Sequence, residues 1–437
     1  MRPKKINNIQ SELFKNRLSD ELNPKHELRQ LSLLIPWEML EEEFAQMYID
    51  KGVGGQPPKP VRLIVGLLLL QHMHDLSDEN VVRMWVENPY WQHFCGYDHL
   101  QWAAPINPSS LTRWRGRLGK ERLEKILSMT VSVAVSSGTI SKKELKSISV
   151  DTTVMPKNIA HPTDSKLMEK SRQRLVKLAK KYGIKLRQNY NLVSKKLIRQ
   201  IGGYLHAKQM KRATKKIRKL KTILGRVQRD ISRKIDGNEL LQESFISEIS
   251  KAKLLLDRKK HDKNKLYSLH EEEVVCISKG KAHKRYEFGC KVSLSITNSG
   301  VGIVTGSEAL AGNPYDGHTL FAALNLSEKI TGVPAKTAFV DKGYKGHKCE
   351  STKIFISGQK RGVTASIRKK LNRRQAIEPH IGHMKNECKL GLSRLKGLAG
   401  DQANAILVAS AYNLKLILNH LRASFAYFFY QYFSIAF

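Results

Sequence analysis

Hydrophobic positions in the first 140 residues recur at the spacing of short helices separated by turn-forming residues. The proline-rich sequence at 57–60 ends one unit, and the run 61–73 is apolar at the density of a buried helix. Ser77, followed by two acidic residues, is typical of a helix start. The pattern predicts an all-helical N-terminal region.

A further helix is predicted after Pro108, with Leu111, Trp114 and Leu118 on one face. Short helices, tight turns and an arginine-bearing last helix are typical of a helix-turn-helix-like DNA-binding domain. A plain helical bundle with a solvated basic face explains the pattern equally well. The polar residues on the other faces are Thr112 and the candidate DNA contacts Arg113, Arg115 and Arg117.

The middle of the chain begins with an alternating run, 147–154, that predicts a strand, and continues as a long helical stretch, about 165–257. Between residues 166 and 234 there are 24 Lys and Arg against only Glu169 and Asp230. Intrahelical ion pairs need both acidic and basic side chains. This imbalance therefore favours a surface that binds the phosphates of a nucleic acid over an ordinary solvated face. An apolar seam beneath the charge consists of Ile217, Leu220, Leu224, Val227, Ile231 and Ile235.

The last third of the chain returns to strand patterns. Strands that come first as antiparallel neighbours and then alternate with helices predict a mixed α/β sheet. The turn 298–300 predicts a hairpin between two of the strands. The predicted strands are 273–278, 286–297, 301–307, 337–340 and 353–357, with a helix near 318–326.

The charge of the chain points to a polyanionic partner. The 76 Lys and Arg against 39 Asp and Glu give a net charge of +37 in 437 residues, and such an excess favours nucleic acid over other partners. The five cysteines contain no CxxC pair, which predicts neither a disulfide framework nor a zinc site. We expect no membrane span, because the apolar tail 423–437 is too short for one.

Two aspartates stand where predicted strands end. Asp151 closes the run ISVD and Asp341 closes AFVD, and open α/β sheets bind ligands beyond the carboxyl ends of their strands. Carboxylates in a strongly basic chain suit phosphoryl transfer, in which Mg²⁺ or Mn²⁺ ions with oxygen ligands act on a DNA phosphate. Helix capping and turn closure are the commoner roles of such aspartates.

Several segments carry a resemblance to a known family. They include SVDTTVMPKNIAHPTDSKL, AFVDKGYKGH, GNPYDGHTL and RRQAIEPHIGHMKNECKLGLSRLKG. Together with residues 40–120 and the sequence DQANAILVASAYNLKLIL, these segments resemble the DDE-class insertion-sequence transposases of bacteria, most of all the IS-five-type group. The resemblance runs in order through most of the chain.

The resemblance implies a third metal ligand, a glutamate on a helix after the last strand, which here is Glu378. The family signature also carries an arginine and a lysine, matched by Arg374 and Lys385, as candidates for phosphate binding. Leu371 stands where the family has a tyrosine. On one helix the three matched residues would form a single stripe, although Pro379 should kink that helix or mark its first turn.

Other residues compete for roles at this site. Glu350 and Glu387 are the rival third carboxylates. Asp316 and His318 are secondary candidates, because the Asn-Pro and Asp-Gly pairs of their segment, GNPYDGHTL, are explained first by a turn. Two candidate phosphate contacts, His283 and Lys284, are as well explained by a solvated hairpin flank.

The resemblance implies an RNase H-like mixed-sheet core, interrupted after its first strand by the basic helical segment. The helical N-terminal DNA-binding domain would span 1–140, the first part of the core 141–164, the insertion 165–265, and the remainder of the core with C-terminal helices 266–437. We expect the insertion to clamp DNA beside the site.

The function so implied is a cytoplasmic, nucleoid-associated bacterial transposase using two Mg²⁺ or Mn²⁺ ions at Asp151, Asp341 and Glu378. It would cleave DNA at the terminal repeats of its element and join the 3′-OH to target DNA, acting as a homodimer or larger assembly. The alternatives are a catalytically silent DNA-binding relative and an RNase H-like nuclease without strand transfer.

Overall fold

The structure is a computed structural model that describes residues 16–45, 58–259, 261–262, 265–278 and 285–434, with side chains described to residue 423. The chain divides into two compact units. The first comprises Met1–Pro156 and Cys290–Phe437, and the second comprises Lys157–Gly289. The N-terminal helices and most of the sheet thus belong to the first unit, and the bounds of the four predicted domains stay predictions.

The N-terminal part of the first unit is helical, as predicted. Ser77 caps its helix by accepting a hydrogen bond from the Asn80 N–H, 3.1 Å away. Leu111 and Leu118 are fully buried and Trp114 nearly so, which confirms the predicted apolar face. The helices are α1 (Leu18–Glu21), α2 (Glu27–Leu34), α3 (Trp37–Phe44), α4 (Val61–Met73), α5 (Asp78–Glu87), α6 (Pro89–Phe94) and α7 (Ser109–Ser136).

A mixed sheet follows, and the protein is of the α/β class, as predicted. The strands are β1 (Ser147–Pro156), β2 (Val275–Ser278), β3 (Tyr286–Thr297), β4 (Val304–Leu310), β5 (Thr337–Val340) and β6 (Lys353–Ile356). In the first unit, the strand order is β4-β3-β1-β5-β6. β3 is antiparallel to β4, while β5 is parallel to both β1 and β6.

The neighbouring strands β1, β3 and β4 of that sheet are antiparallel to one another in turn. The Asn298 N–H donates to the Ser147 carbonyl at one end of the β1–β3 pair, and the Lys157 N–H donates to the Phe288 carbonyl at the other, so these two strands run in opposite directions. β4 begins later than the predicted residue 301. Gly302 adopts a positive φ there, where a Cβ would collide with His380.

The C-terminal helices complete the first unit. They are α12 (Asp316–Thr331), α13 (Ala365–Arg373), α14 (Ile377–Glu387) and α15 (Gly397–Ser434), with a 3₁₀ turn at Arg374–Ala376. α15 packs against α4, α7 and β4, and its buried face joins the large apolar core of this unit. None of the helices is both long and apolar enough to cross a membrane within the described residues.

The second unit carries the basic region. The predicted helical stretch divides into α8 (Asp164–Lys181), α9 (Asn191–His206), α10 (Met210–Lys234) and α11 (Glu239–Asp257). Gly183 and Gly237 have positive φ at two of the breaks. The predicted seam is confirmed from Leu220 to Ile235, where it is buried in the apolar core of the unit. β2 pairs with residues 286–289 of β3.

Candidate active site

Asp151 lies on the central strand of the sheet. Buried residues precede it on β1, and one carboxylate oxygen accepts a hydrogen bond of 2.8 Å from the Thr152 N–H. Its side chain is 22% exposed. The carboxylate is therefore partly withdrawn from water but keeps an open side.

Asp341 follows the neighbouring parallel strand. β5 ends at Val340, and the chain then turns through a short 3₁₀ helix, Lys342–Tyr344. The register pairs Ser149 of β1 with Phe339 of β5, so the two aspartates each stand two residues beyond the same rung. The prediction that Asp151 closes its strand is wrong, because Asp151 is the fifth of the 10 residues of β1, which continues to Pro156.

Arg374 joins the two aspartates. One guanidinium nitrogen, Nη1, lies 3.8 Å from Oδ2 of Asp151, and Nη2 lies 3.6 Å from Oδ1 of Asp341. The arginine is buried, and its Nε and Nη1 have no hydrogen-bond partner among the described residues. Because buried donors normally find acceptors, these two nitrogens leave hydrogen-bonding capacity of the arginine unused.

The electrostatics of the site oppose the ionised form of Asp151. Burial raises its pKa to about 6, and the charges of Asp341 and Asp316 act in the same direction, while the Thr152 N–H and Arg374 lower the pKa. Tyr344 is fully buried beside these groups, its pKa is raised by burial and by the aspartates, and its hydroxyl has no described hydrogen-bond partner.

A third aspartate, Asp316, belongs to the same site. Its Oδ1 accepts hydrogen bonds from the Thr152 hydroxyl, at 2.9 Å, and from Nζ of Lys291, at 2.7 Å. The sequence made Asp316 only a secondary candidate and missed Lys291 and Tyr344. A lysine within the apolar strand β3 was the available signal, because lysine is rarely buried without a partner.

Glu378 is exposed on the first turn of α14. Within the described ranges, no group of three or more His, Cys, Asp or Glu side chains is placed to hold a metal ion. The structure thus brings Asp151 and Asp341 to one arginine without bringing Glu378 into the same group. The role of Glu378 as third ligand stays a prediction.

The predicted stripe of Arg374, Glu378 and Lys385 on one helix is wrong. Arg374 lies in the 3₁₀ turn, before α14 begins, and it is buried whereas Glu378 is exposed. Pro379 is in the first turn of α14, as its missing N–H allows. Lys385 is half-buried on the last turn of α14.

Of the rival carboxylates, Glu387 is occupied elsewhere. It forms an ion pair with Lys415 and a hydrogen bond with His383, whose Nδ1 lies 2.6 Å away, and the hydrogen bond from Lys415 is the main reason that its pKa is lowered. Glu350 is exposed. The His318 ring packs edge-on against Tyr315. His283 and Lys284 lie outside the described residues.

The three arginines of α7 differ in environment. Arg113 and Arg117 are exposed. Arg115 is buried, and its guanidinium forms a bidentate pair with Asp78, with one nitrogen–oxygen distance of 3.0 Å. This pairing contradicts a role for Arg115 in contacting DNA, because its donors already bind a carboxylate inside the protein.

The exposed face of α10 is strongly basic. The helix has 25 residues, roughly 37 Å at 1.5 Å per residue. Apart from Arg233 and Lys234, which lie near the buried Asp230, these cations have no ion pair with a described residue. The exposed cations are Lys211, Arg212, Lys215, Arg218, Lys219, Arg226, Arg229, Arg233 and Lys234.

Comparisons with known proteins give one family and one relative. Residues 16–117 match the family described as Transposase domain (DUF772). This match includes the helices from α1 to the start of α7, with Arg113 and Arg117. The "Uncharacterized protein ORF8 in nfe locus" of Rhizobium meliloti is 46% identical over 209 residues, which are 48% of this chain and 100% of that protein. No solved structure matches the chain.

Proposed function

We propose that this chain, which belongs to a family of transposase-domain proteins, is a DDE-class transposase that cleaves the ends of an insertion sequence and joins them to target DNA. The observation that carries the proposal is the grouping of Asp151, Asp341 and Arg374. The two aspartates offer oxygen ligands to a hard cation such as Mg²⁺. The buried arginine, which has donors without hydrogen-bond partners in the described part of the chain, offers a contact for phosphate.

The sheet supports an RNase H-like core. Three antiparallel strands are followed by two strands parallel to the first, and the first strand stands in the middle. That is the arrangement an RNase H-like core has. Asp151 is on the central strand and Asp341 follows the neighbouring strand, each two residues beyond the paired residues Ser149 and Phe339.

The residues present fit divalent metal ions such as Mg²⁺ or Mn²⁺. Asp151 and Asp341 offer oxygen ligands, and a cation would relieve the repulsion and burial that raise the pKa of Asp151. Glu378 would be the third ligand. When bound, two such ions lower the pKa of the attacking hydroxyl group or water and stabilise the leaving oxygen.

The other residues bind DNA. Arg374 donates to a non-bridging oxygen of the scissile phosphate through Nε and Nη1, which have no hydrogen-bond partner among the described residues, and Lys385 adds a second cation on α14. Arg113, Arg117 and the basic face of α10 neutralise backbone phosphates, which gives affinity without sequence preference. Because two element ends must be paired, the working complex contains at least two copies of the chain.

The test uses a supercoiled plasmid that carries the element's own ends, incubated with the full chain and Mg²⁺ or Mn²⁺. We expect cut ends with a 3′-OH and joined products in the wild type. Asp151→Ala should cut nothing and should bind the same DNA at least as tightly, because a negative charge is removed.

Each alternative has its own outcome. Cut ends without joined products would identify a nuclease that lacks strand transfer. DNA binding without any metal-dependent cutting would identify a catalytically silent relative. Cleavage by Asp151→Ala would show that the site is wrongly assigned.

A further inference from the structure

Thr152 contacts two carboxylates at once. Its backbone N–H donates to Oδ1 of Asp151, at 2.8 Å, and its hydroxyl donates to Oδ1 of Asp316, at 2.9 Å. Thr152 is the next residue after Asp151 on β1, so a restraint on its side chain also restrains the peptide that holds the Asp151 carboxylate. Asp316 is thereby coupled to Asp151 through a single residue.

Asp316 is itself fixed by Lys291. Nζ of Lys291 lies 2.7 Å from Oδ1 of Asp316 and donates to the Pro314 carbonyl, 2.8 Å away. Lys291 is buried on β3, the strand beside β1. A buried ammonium is tolerated only when it is paired and hydrogen-bonded, so this pair holds both the Asp316 carboxylate and the loop before α12 in one place.

The other carboxylate oxygen of Asp316, Oδ2, lies near the turn that follows Asp341. A Cβ added to Gly343, two residues after Asp341, would lie 3.3 Å from Oδ2 of Asp316. A glycine there leaves room for the carboxylate to lie close to the turn that follows β5. Asp316 therefore approaches both segments that carry the proposed metal ligands.

We propose that Asp316, charge-balanced by Lys291, is a positioning residue that fixes the Asp151 carboxylate through Thr152. This inference rests on the proposed metal-dependent function and deepens it. Asp316 acts through its Oδ1 as a hydrogen-bond acceptor, because this oxygen accepts from both an ammonium and a hydroxyl group.

Two substitutions of Asp316 separate these roles. Asp316→Asn keeps an oxygen that accepts from Thr152 and Lys291 but loses the charge, whereas Asp316→Ala loses both. For a positioning residue we expect Mn²⁺ affinity and DNA cleavage to fall at least about 10-fold in Asp316→Ala, with most of the loss recovered in Asp316→Asn. For a metal ligand, both variants would lose equally.

Coupling through Thr152 is tested by a double-mutant cycle. Thr152→Val removes the hydroxyl at nearly constant volume. If Asp316 acts through Thr152, the double variant Thr152→Val/Asp316→Ala binds Mn²⁺ no more weakly than the worse single variant. Glu328→Ala, an exposed carboxylate on the same helix α12, is the matched control and should bind Mn²⁺ as the wild type does.

Mn²⁺ binding is measured by calorimetry on the full chain, and thermal unfolding of each variant shows whether the fold is retained. Wild-type affinity in Asp316→Ala, equal losses in Ala and Asn, or additive losses in the double variant would each overturn the inference while leaving the proposed function intact. A wild-type chain that binds no Mn²⁺ and cuts no DNA would overturn both.

Discussion

Arg374 and Asp151 are in contact although the whole second unit lies between them in the chain: Nη1 of the arginine is 3.8 Å from Oδ2 of the aspartate. The arginine is buried, and neither its Nη1 nor its Nε has a hydrogen-bond partner among the described residues. It balances the acidic charge in this structure, and the same guanidinium is the proposed contact for the scissile phosphate. In the first role the guanidinium competes with a metal cation for the aspartates, whereas in the second role it promotes cleavage.

Arg374→Gln should therefore separate metal binding from cleavage. Without the guanidinium, a divalent cation meets less electrostatic competition at Asp151 and Asp341, so we expect Mn²⁺ affinity equal to or higher than that of the wild type. Cleavage should fall on the order of 100-fold, as when a buried donor to a reacting oxygen is removed. Calorimetry and a plasmid-cleavage assay measure the two effects.

The neighbouring Arg373 provides the control for this variant. It is exposed, and its Nε donates to the Ser299 carbonyl, 2.8 Å away. Arg373→Gln should leave both measurements near wild type. Equal losses of Mn²⁺ affinity and cleavage in Arg374→Gln would mean that the arginine only maintains the local structure.

The raised pKa of Asp151 predicts a pH-dependent stability. In the folded protein its pKa is about 6 against an ordinary value of 3.8. Below pH 3.8 the carboxyl group is neutral in both states, so no stability is lost there. Between pH 3.8 and about 6 the carboxyl group is ionised in the unfolded state but still protonated in the folded state. The free energy of unfolding therefore falls by about 1.4 kcal/mol per pH unit across this interval, roughly 3 kcal/mol in all, and the loss is complete above pH 6.

Asp151→Asn should remove this loss. In the absence of divalent ions, the variant should be more stable than the wild type at pH 8 and no more stable at pH 3.5, as measured by chemical unfolding. Mg²⁺ should stabilise the wild type at pH 8 but not the variant. Asp236→Asn, at an exposed position, is the control. An identical stability gain at both pH values would contradict the raised pKa.

Local patterns were enough to predict the strands that position the site, and they failed where long-range packing decides the outcome. The ranges of β3 and β5 match the prediction because alternation and flanking turns define them locally. Arg115 was misassigned, since helical spacing alone does not show that Asp78 lies opposite. The interruption of the Arg374–Lys385 stripe by a 3₁₀ turn, and the pairing of Asp316 with Lys291, also depend on residues remote in sequence.

The competing glutamates of α14 give a paired test of the third ligand. Glu378 is exposed and has no ion pair with a described residue, whereas Glu387 forms an ion pair with Lys415 and a hydrogen bond with His383. Glu378→Gln should lower cleavage by at least about 100-fold with little change in stability. Glu387→Gln should retain cleavage and lose up to about 1 kcal/mol of stability. The reverse pattern in the cleavage assay would move the ligand to Glu387.

The basic face of α10 predicts a salt-dependent contribution to DNA binding. Lys215 and Lys219 are one helical turn apart, and both are exposed without a described ion pair. If each neutralises a phosphate, Lys215→Gln/Lys219→Gln should lower the slope of log affinity against log salt by about 0.9 per lost contact. Fluorescence anisotropy with a duplex of unrelated sequence, measured over a salt series, gives this slope.

A matched pair of cations separates a specific surface from net charge alone. Lys142 and Lys143 are exposed outside α10, and Lys142→Gln/Lys143→Gln removes the same two charges. Since only cations that contact phosphate release counterions, this double variant should bind with nearly the wild-type salt slope. If both double variants changed the slope equally, the net charge of +37 would account for DNA affinity, and α10 would have no distinct role in it.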